Sequence, residues 1–216
     1  MSAAVITDYS SIKNIVFDLG AVIINIDFAR TFKAFAQLSN LSETDISDRY
    51  LKSTFFIDFE KGYIGNYTFI KHVRELLELP LSVSDDAVID GWNKLLLTIP
   101  AERIKRIQAL SESYRVFLLS NTNPIHIKEV QHILFRDAGV HRLEQLFEKT
   151  WYSYDLGLIK PHTSIYETVL AEKQLLASET IFLDDNADNI EGAVKTGIQA
   201  ILVEGENDLI NILKHA

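Results

Sequence analysis

Cysteine is missing from all 216 residues of the chain. Its absence excludes disulfide bonds, thiolate metal sites and a cysteine nucleophile, and a reducing cytoplasm is the simplest setting for such a chain. Long apolar runs are missing as well, because no stretch approaches the roughly 20 apolar residues of a membrane span. Residues 1–11 lack the basic start and apolar run of an export signal. We therefore expect neither membrane insertion nor export.

Positive charge is scarce, since 21 Lys and Arg stand against 30 Asp and Glu, which gives a net charge of −9. Nucleic-acid binding requires a basic face, so nucleic acid is not an expected partner. Hydrophobic residues make up 47% of the chain, which is enough for a buried interior. The composition predicts a folded globule with one large domain, or with a core and a smaller insert.

A short apolar block lies near the start of the chain, and from Pro100 onward such blocks alternate with helical patterns. The blocks lie at 15–17, 115–119, 150–153, 181–183 and 200–203, and helices are predicted at 101–113 and 124–135. The blocks lack period-two alternation, which is typical of parallel strands covered by helices on both faces. The sequence therefore predicts an α/β fold, a Rossmann-like doubly wound parallel sheet, built from residues 1–27 and 100–216.

The intervening residues 28–99 have a helical pattern, in which apolar side chains recur as in Phe28, Phe32 and Phe35. This insert leaves the sheet directly after the first strand, so we expect an all-helical cap above the carboxyl edge of the sheet. Within it, residues 58–65 contain turn glycines. We interpret them as a plain interhelical turn, the alternative being a loop that reaches toward the site.

Polar side chains follow four short apolar segments, three of them in the blocks above and a further one at 157–159. Asp18 follows 15–17, with Gly20 two residues later, Ser120-Asn121 follows 116–119, Lys160-Pro161 follows 157–159, and Asp184-Asp185 follows 181–183. We interpret each segment as a strand, so that the polar groups meet at the carboxyl edge where ligands bind in such sheets. Pro124 is predicted to begin a helix whose free N–H groups favour an anion at the same edge. An aspartate at that edge can act as a nucleophile or as a metal ligand.

The order of Asp18, Ser120, Lys160 and the Asp184-Asp185 pair resembles the four motifs of the haloacid dehalogenase superfamily. The resemblance extends over nearly the whole chain. Most members of that family transfer phosphoryl groups through an aspartyl intermediate with magnesium. The resemblance therefore implies a phosphatase that uses Mg²⁺ and acts on a small phosphorylated metabolite.

The same resemblance implies a role for each site residue. Asp18 would be the nucleophile, Ser120 and the N–H of Asn121 would hold phosphoryl oxygens, and Lys160 would neutralise nucleophile and phosphate together. The metal ligands would be Asp18, the backbone carbonyl of Gly20, Asp185 as the more direct ligand, and Asp184 as a ligand or as the holder of a metal-bound water. Mg²⁺ suits such a set because it is a hard ion that prefers oxygen.

One position departs from the family pattern. Phosphatases of this kind usually carry a second aspartate two residues after the nucleophile, as general acid and base, and Gly20 stands there instead. The segment 18–27 resembles a variant subgroup that includes bacterial sugar-phosphate phosphatases acting on glucose 1-phosphate, whose leaving groups need less acid assistance. A sugar phosphate is thus the expected substrate, and Asp27 and Glu60 are the candidates for the missing acid.

Other functions stay open. A 2-haloacid dehalogenase needs no metal, but that group resembles this chain in fold while carrying Ser-Ser-Asn where the two acids stand here. A non-catalytic phosphate-binding domain is supported by Gly20 alone. Ordinary structural roles also compete, because the Asp184-Asp185 pair could cap a helix and Lys160 could lie on the surface. His126 is interpreted as a helix-face residue rather than one at the pocket mouth, and the oligomeric state is open.

Overall fold

The structure, a computed structural model, describes residues 10–205. Its five strands are β1 Asn14–Phe17, β2 Arg115–Ser120, β3 Lys149–Tyr152, β4 Thr180–Asp184 and β5 Gln199–Leu202. They pair in parallel in the order β3-β2-β1-β4-β5. The predicted doubly wound parallel sheet is confirmed.

The helices of the described region fall into two sets. Between β1 and β2 lie α1 Phe28–Leu38, α2 Glu43–Lys52, α3 Phe55–Glu60, α4 Asn66–Leu76, α5 Asp85–Asn93 and α6 Ala101–Ser111. Later in the chain follow α7 Pro124–Ala138, α8 Ser153–Leu156, α9 Thr163–Lys173 and α10 Ala187–Val194. None of the helices within residues 10–205 combines the length and apolar character needed to cross a membrane.

The strands are mostly apolar because helices cover both faces of the sheet. Successive strand side chains point to opposite faces. Ile15 and Phe17 of β1 therefore pack in one apolar cluster with Ile107 of α6, whereas Val16 packs in another with Ile165 of α9. Each of these side chains is almost completely buried. This two-sided burial explains why the strands lack a period-two pattern.

The order of the strands locates the ligand-binding edge. From the central strand β1 the chain moves to β2 and β3 on one side, and it then returns to β4 and β5 on the other. The carboxyl ends of β1 and β4 therefore flank the point where the winding reverses. In open α/β sheets, ligands bind in the crevice at such a point.

Helices α1 to α5 pack around their own apolar cluster, which includes Phe35, Phe59, Phe69 and Trp92. Two extended segments join this helical region to the sheet. They run side by side, with the N–H of Asn25 donating to the Thr98 carbonyl, the N–H of Leu97 donating back to Asn25, and Ile26 bridging Leu96. The paired segments hold the helices above the carboxyl edge of β1.

The predicted strand at 157–159 is wrong. Helix α8 ends at Gly157, whose φ of 67° is left-handed, and a loop then leads to Lys160. The apolar block of the region is β3, at Lys149–Tyr152. Periodicity does not separate a short buried strand from an apolar loop, because both appear as a few consecutive apolar residues.

Candidate active site

Three carboxylates converge at the ends of β1 and β4. The strand register pairs Phe17 with Leu183, which brings Asp18 beside Asp184, and the N–H of Asp18 donates to the Leu183 carbonyl at 2.8 Å. One carboxylate oxygen from each of Asp18, Asp184 and Asp185 lies within 4.8 Å of the others. Asp18 and Asp184 are buried, whereas Asp185 is exposed. The structure thus brings together three of the predicted site residues.

Lys160 bridges two of these acids. Its Nζ lies 2.5 Å from Asp18 Oδ1 and 2.6 Å from Asp184 Oδ2, and it donates to the carbonyl of Leu119 at 3.1 Å. The side chain is only 1% exposed. The alternative interpretation of Lys160 as a surface lysine is therefore wrong, because its side chain lies in the centre of the cluster.

Asn121 has a structural task that the sequence did not reveal. Its side-chain oxygen accepts the backbone N–H of Lys160 at 2.9 Å, and its amide nitrogen donates to the Lys160 carbonyl at 3.0 Å. This pair of bonds joins the end of β2 to the loop that carries the lysine. Ser153 and Thr122 form a second link, in which the Ser153 hydroxyl both accepts from the N–H of Thr122 and donates to its carbonyl.

Asp184 and Asp185 do not cap the following helix. The N-cap of α10 is Asn186, whose side chain accepts the N–H of Asp188 at 2.8 Å. Asp184 Oδ1 accepts the N–H of Asn186 at 2.8 Å, and Asn189 donates to both Asp184 oxygens at 3.0 and 3.1 Å. The capping interpretation is therefore wrong, and Asn189 orients the Asp184 carboxylate toward the lysine.

The cluster carries more negative charge than Lys160 can balance. Burial raises the pKa of Asp18 to about 7, with a further upward contribution from Asp184, although Lys160 acts in the opposite direction. Partial desolvation beside its neighbours, followed by the charge of Asp184, raises the pKa of Asp185. Burial alone would lower the pKa of Lys160, but the two carboxylates outweigh it and raise that pKa. An additional cation among the acids would relieve this excess.

A hard divalent cation fits these donors. Besides three carboxylates, the carbonyl of Gly20 lies in the turn after Asp18, and it accepts the N–H of Val22 at 2.6 Å. A carbonyl oxygen has a second lone pair, so a metal contact stays possible. Within residues 10–205 the three aspartates are the one group of three or more acids or histidines whose ligand atoms lie this close together. An all-oxygen donor set is what Mg²⁺ prefers.

Ser120 and the start of α7 form the other wall of the site. Ser120 ends β2 and is buried. Helix α7 begins at Pro124 as predicted, with Asn123 as N-cap, whose side-chain oxygen accepts the N–H of His126 at 3.0 Å. The free N–H groups at a helix start favour an anion. This wall therefore offers donors opposite the carboxylates.

A cavity of about 90 Å³ lies between this wall and the helical region, and Gly20, Ser120, Asn121, Glu60 and His126 are among its lining residues. Glu60 is the last residue of α3. Residues 61–65 form the expected turn between α3 and α4, but Glu60, at the end of α3, also lines the cavity. The tertiary packing of α3 against α8 brings it there, and no pattern in the sequence specifies that contact.

His126 is not an ordinary helix-face residue either. Its ring is buried, stacks on Trp92 with centroids 4.7 Å apart, and places Nδ1 2.9 Å from Asn93 Oδ1. Burial lowers its pKa to about 3. The imidazole is therefore neutral near pH 7 and donates its Nδ1 proton to Asn93. It links α7 to α5, which belongs to the helical region.

The buried His126 should make the protein sensitive to acid. Below its ordinary pKa the unfolded chain takes up a proton that the folded chain does not bind until about pH 3, so stability falls as the pH drops. We expect a loss of about 1 kcal/mol per pH unit between pH 6 and pH 4 from this residue. Urea unfolding of the wild type and His126→Gln at several pH values measures it. Equal pH slopes for the two proteins would contradict the assignment.

A cluster of acids bridged by a buried lysine, at the winding reversal of a doubly wound parallel sheet, is typical of α/β enzymes that act on anionic substrates. The chain belongs to the haloacid dehalogenase-like hydrolases, since the model of that family matches residues 12–197. The family expected from the four motifs is thus confirmed.

Two named phosphatases resemble the chain along most of its length. The D-ribitol-5-phosphate phosphatase of Bacteroides thetaiotaomicron is 30% identical over 91% of this chain and 94% of its own. Phosphatase MT3486 of Mycobacterium tuberculosis is 22% identical over 90% of this chain and 88% of its own. Their alignments cover both the helical region and the sheet.

Solved structures share the fold. The HAD family enzyme BT-2542 of Bacteroides thetaiotaomicron, crystallised with magnesium and inorganic phosphate, is 33% identical, and the match covers 90% of this chain and 96% of that one with a TM-score of 0.81. The L-2-haloacid dehalogenase RSc1362 is 18% identical over 90% and 87% of the two chains, with a TM-score of 0.62. At that identity the likeness concerns the fold alone.

Proposed function

We propose that this protein is a magnesium-dependent phosphatase that hydrolyses a small phosphorylated metabolite of the sugar-phosphate type. The observation that carries the proposal is the buried Lys160 ammonium between Asp18 and Asp184, with Asp185 beside them at the ligand-binding edge. The phosphatase names of two relatives, and the magnesium and phosphate bound to a similar enzyme, support it.

In this proposal the residues of the site carry out the phosphoryl transfer together. An oxygen of Asp18 attacks phosphorus in line with the leaving oxygen, forming an aspartyl phosphate that water then hydrolyses. Lys160 neutralises the attacking carboxylate and the phosphoryl group together. Ser120 and the N–H of Asn121 hold phosphoryl oxygens. The side chain of Asn121 keeps Lys160 in position through its two bonds to that residue.

The proposed metal ligands are Asp18, the carbonyl of Gly20, Asp185 and Asp184, with Asp185 the more direct of the last two. Asp184 already accepts hydrogen bonds from Lys160 and Asn189. These bonds support a role in positioning Lys160 as well as a role in binding the metal. When bound, Mg²⁺ would supply positive charge that offsets the repulsion between the carboxylates and a phosphate dianion.

The proposal also assigns a role to each of the two domains. Residues 28–99 would act as the cap that encloses the leaving group, and residues 1–27 and 100–216 as the catalytic core. The apolar cluster that α1 to α5 share, to which the sheet domain contributes Ile125 of α7, supports this division. A cytoplasmic location agrees with the absence of cysteine.

A 2-haloacid dehalogenase is the weaker candidate, because a carbon–halogen site needs an apolar halide cradle rather than two additional acids.

A screen of phosphorylated metabolites, including D-ribitol 5-phosphate and glucose 1-phosphate, tests the proposal when it is run with and without Mg²⁺. We expect phosphate release from sugar or polyol phosphates only when the metal is present. Turnover of 2-chloropropionate in EDTA, without phosphate release in the screen, would contradict it.

A further inference from the structure

The cavity beside Asp18 contains few groups that can carry a proton. Of the described residues that line it, two have ionisable side chains, Glu60 and His126. In related phosphatases an aspartate provides the acid, and in this chain the corresponding position is Gly20, which has no side chain. The alkoxide of a sugar or polyol is a poor leaving group, so donation of a proton to its oxygen speeds the cleavage.

His126 does not meet this need. Its pKa is lowered to about 3 by burial, so the ring has no proton to spare on Nε2 near pH 7. Its Nδ1 proton is used in the hydrogen bond to Asn93. The stacking on Trp92 holds the ring in this orientation. A neutral, hydrogen-bonded imidazole is a structural link here rather than an acid.

Asp27, the other acid considered from the sequence, is engaged elsewhere. It is the N-cap of α1, where its Oδ1 accepts the N–H of Ala29 at 3.0 Å, and its Oδ2 lies 3.5 Å from Arg30 Nε. Its side chain is 44% exposed, and it is not among the residues that line the cavity. The structure therefore leaves Glu60 as the candidate.

The backbone around Glu60 is anchored on both sides. Phe59 is buried and stacks on Phe69, with ring centroids 4.0 Å apart, inside the helical region. Gly62, at a φ of 68°, lies so close to α8 that a Cβ there would come within 2.2 Å of the Tyr154 carbonyl oxygen. The first contact belongs to the helical region and the second to the sheet domain. Glu60 is thereby held at the boundary between the two, over the cavity.

The Glu60 carboxyl forms no hydrogen bond or ion pair with another residue in the described part of the chain. Burial raises its pKa to about 7, against the lowering influence of the Lys160 charge. Tyr50 of α2 also faces it, and burial raises the pKa of that phenol to about 12, so the phenol is neutral. Asp155 of the neighbouring α8 interacts electrostatically with Lys149 instead. Both forms of Glu60 are thus available near neutral pH, as an acid and base requires.

We propose that Glu60 is the general acid and base of the reaction, supplied by the helical region in place of the side chain that Gly20 lacks. This inference rests on the proposed phosphatase function. As the bond from Asp18 to phosphorus forms and the phosphorus–alkoxide bond breaks, the Glu60 proton passes to the leaving oxygen. The Glu60 carboxylate then takes a proton from the water that attacks phosphorus. The bond to Asp18 breaks, inorganic phosphate leaves, and protonated Glu60 is restored.

The dependence on the leaving group tests this role. Glu60→Gln keeps the size of the side chain but carries no acidic proton. With Mg²⁺ present, we expect kcat/KM for D-ribitol 5-phosphate to fall roughly 10²–10³-fold, whereas kcat/KM for p-nitrophenyl phosphate falls less than about threefold, because nitrophenolate leaves without protonation. In the wild type, kcat/KM for the ribitol ester should also decline as the pH rises through about 7, and this decline should be missing in the variant.

The two substrates separate catalysis from folding, since turnover of the nitrophenyl ester reports an intact site. Asp27→Asn is the matched control, because asparagine also caps helices and the residue lies outside the cavity. It should leave both rates unchanged. An equal loss on both substrates, or no loss on either, in Glu60→Gln would overturn the role of Glu60. Failure of the wild type to release phosphate from either ester in the presence of Mg²⁺ would instead overturn the phosphatase proposal, so the two failures are distinguishable.

Discussion

Replacing Asp18 with Asn is expected to lower phosphate release by roughly 10⁴-fold or more, because the amide cannot attack phosphorus and no aspartyl phosphate forms. The fold should persist. At pH 7 the Asp18 carboxyl is already partly protonated, since burial raises its pKa to about 7, and a neutral amide resembles that form. A raised pKa of an acid means that stability declines as the pH rises from 4 to 7. The variant should therefore be at least as stable at pH 7 as the wild type.

Three measurements check this expectation. Steady-state phosphate release gives the loss of rate, and mass spectrometry of acid-quenched protein shows whether a phosphate is attached. We expect a phosphorylated species in the wild type and in the control Asp27→Asn, but none in Asp18→Asn. Urea unfolding at pH 7 verifies that the variant is folded. A folded Asp18→Asn protein that releases phosphate at the wild-type rate would show that another residue is the nucleophile.

Loss of the metal should be nearly as damaging. Without a cation, the excess negative charge of Asp18, Asp184 and Asp185 would repel a phosphate dianion. Chelation by EDTA is therefore expected to lower turnover by roughly 10³-fold, which corresponds to the several kcal/mol that a metal contributes to such a transition state. Adding Mg²⁺ should restore it. Calcium, which takes more ligands at longer distances, should restore far less.

Asp185→Asn tests the same metal site by changing one of its proposed ligands. It removes the exposed carboxylate of the cluster but leaves the pairing of Lys160 with Asp18 and Asp184 in place. We expect the Mg²⁺ concentration for half-maximal activity to rise at least about tenfold, since a ligand has lost its charge. Asp188→Asn is the matched control, because Asp188 is an exposed acid one turn away that does not belong to the cluster. Equal Mg²⁺ dependence in the two variants would contradict the assignment of Asp185.

The sheet was predictable because burial on both faces leaves a strong local signal. Strand β1, for example, is a run of four buried residues that ends directly before Asp18. Parallel strands end at a common edge, so the approach of Asp18 to Asp184 follows from the strand pattern alone. The loop at 157–159 was predicted as a strand because its apolar residues lack any signal that separates loop from sheet.

The contacts that complete the site left no such signal. The side chain of Asn121 holds the backbone of Lys160 across 39 residues of chain, and Glu60 reaches the cavity only because Gly62 lets the backbone approach Tyr154. Each contact joins segments that are far apart in sequence. Neither the composition nor the periodicity of one segment contains information about its partner.

The sequence by itself determined the class of fold, the edge at which the polar groups gather and the residue types available for oxygen-based chemistry, because hydrophobic periodicity and strand ends are local properties. Only the tertiary structure decided which groups face one another. It buried Lys160 between Asp18 and Asp184, made Asp27 a helix cap and brought Glu60 over the cavity. Those outcomes depend on the packing of distant elements, and the charge and protonation of each group follow from that packing.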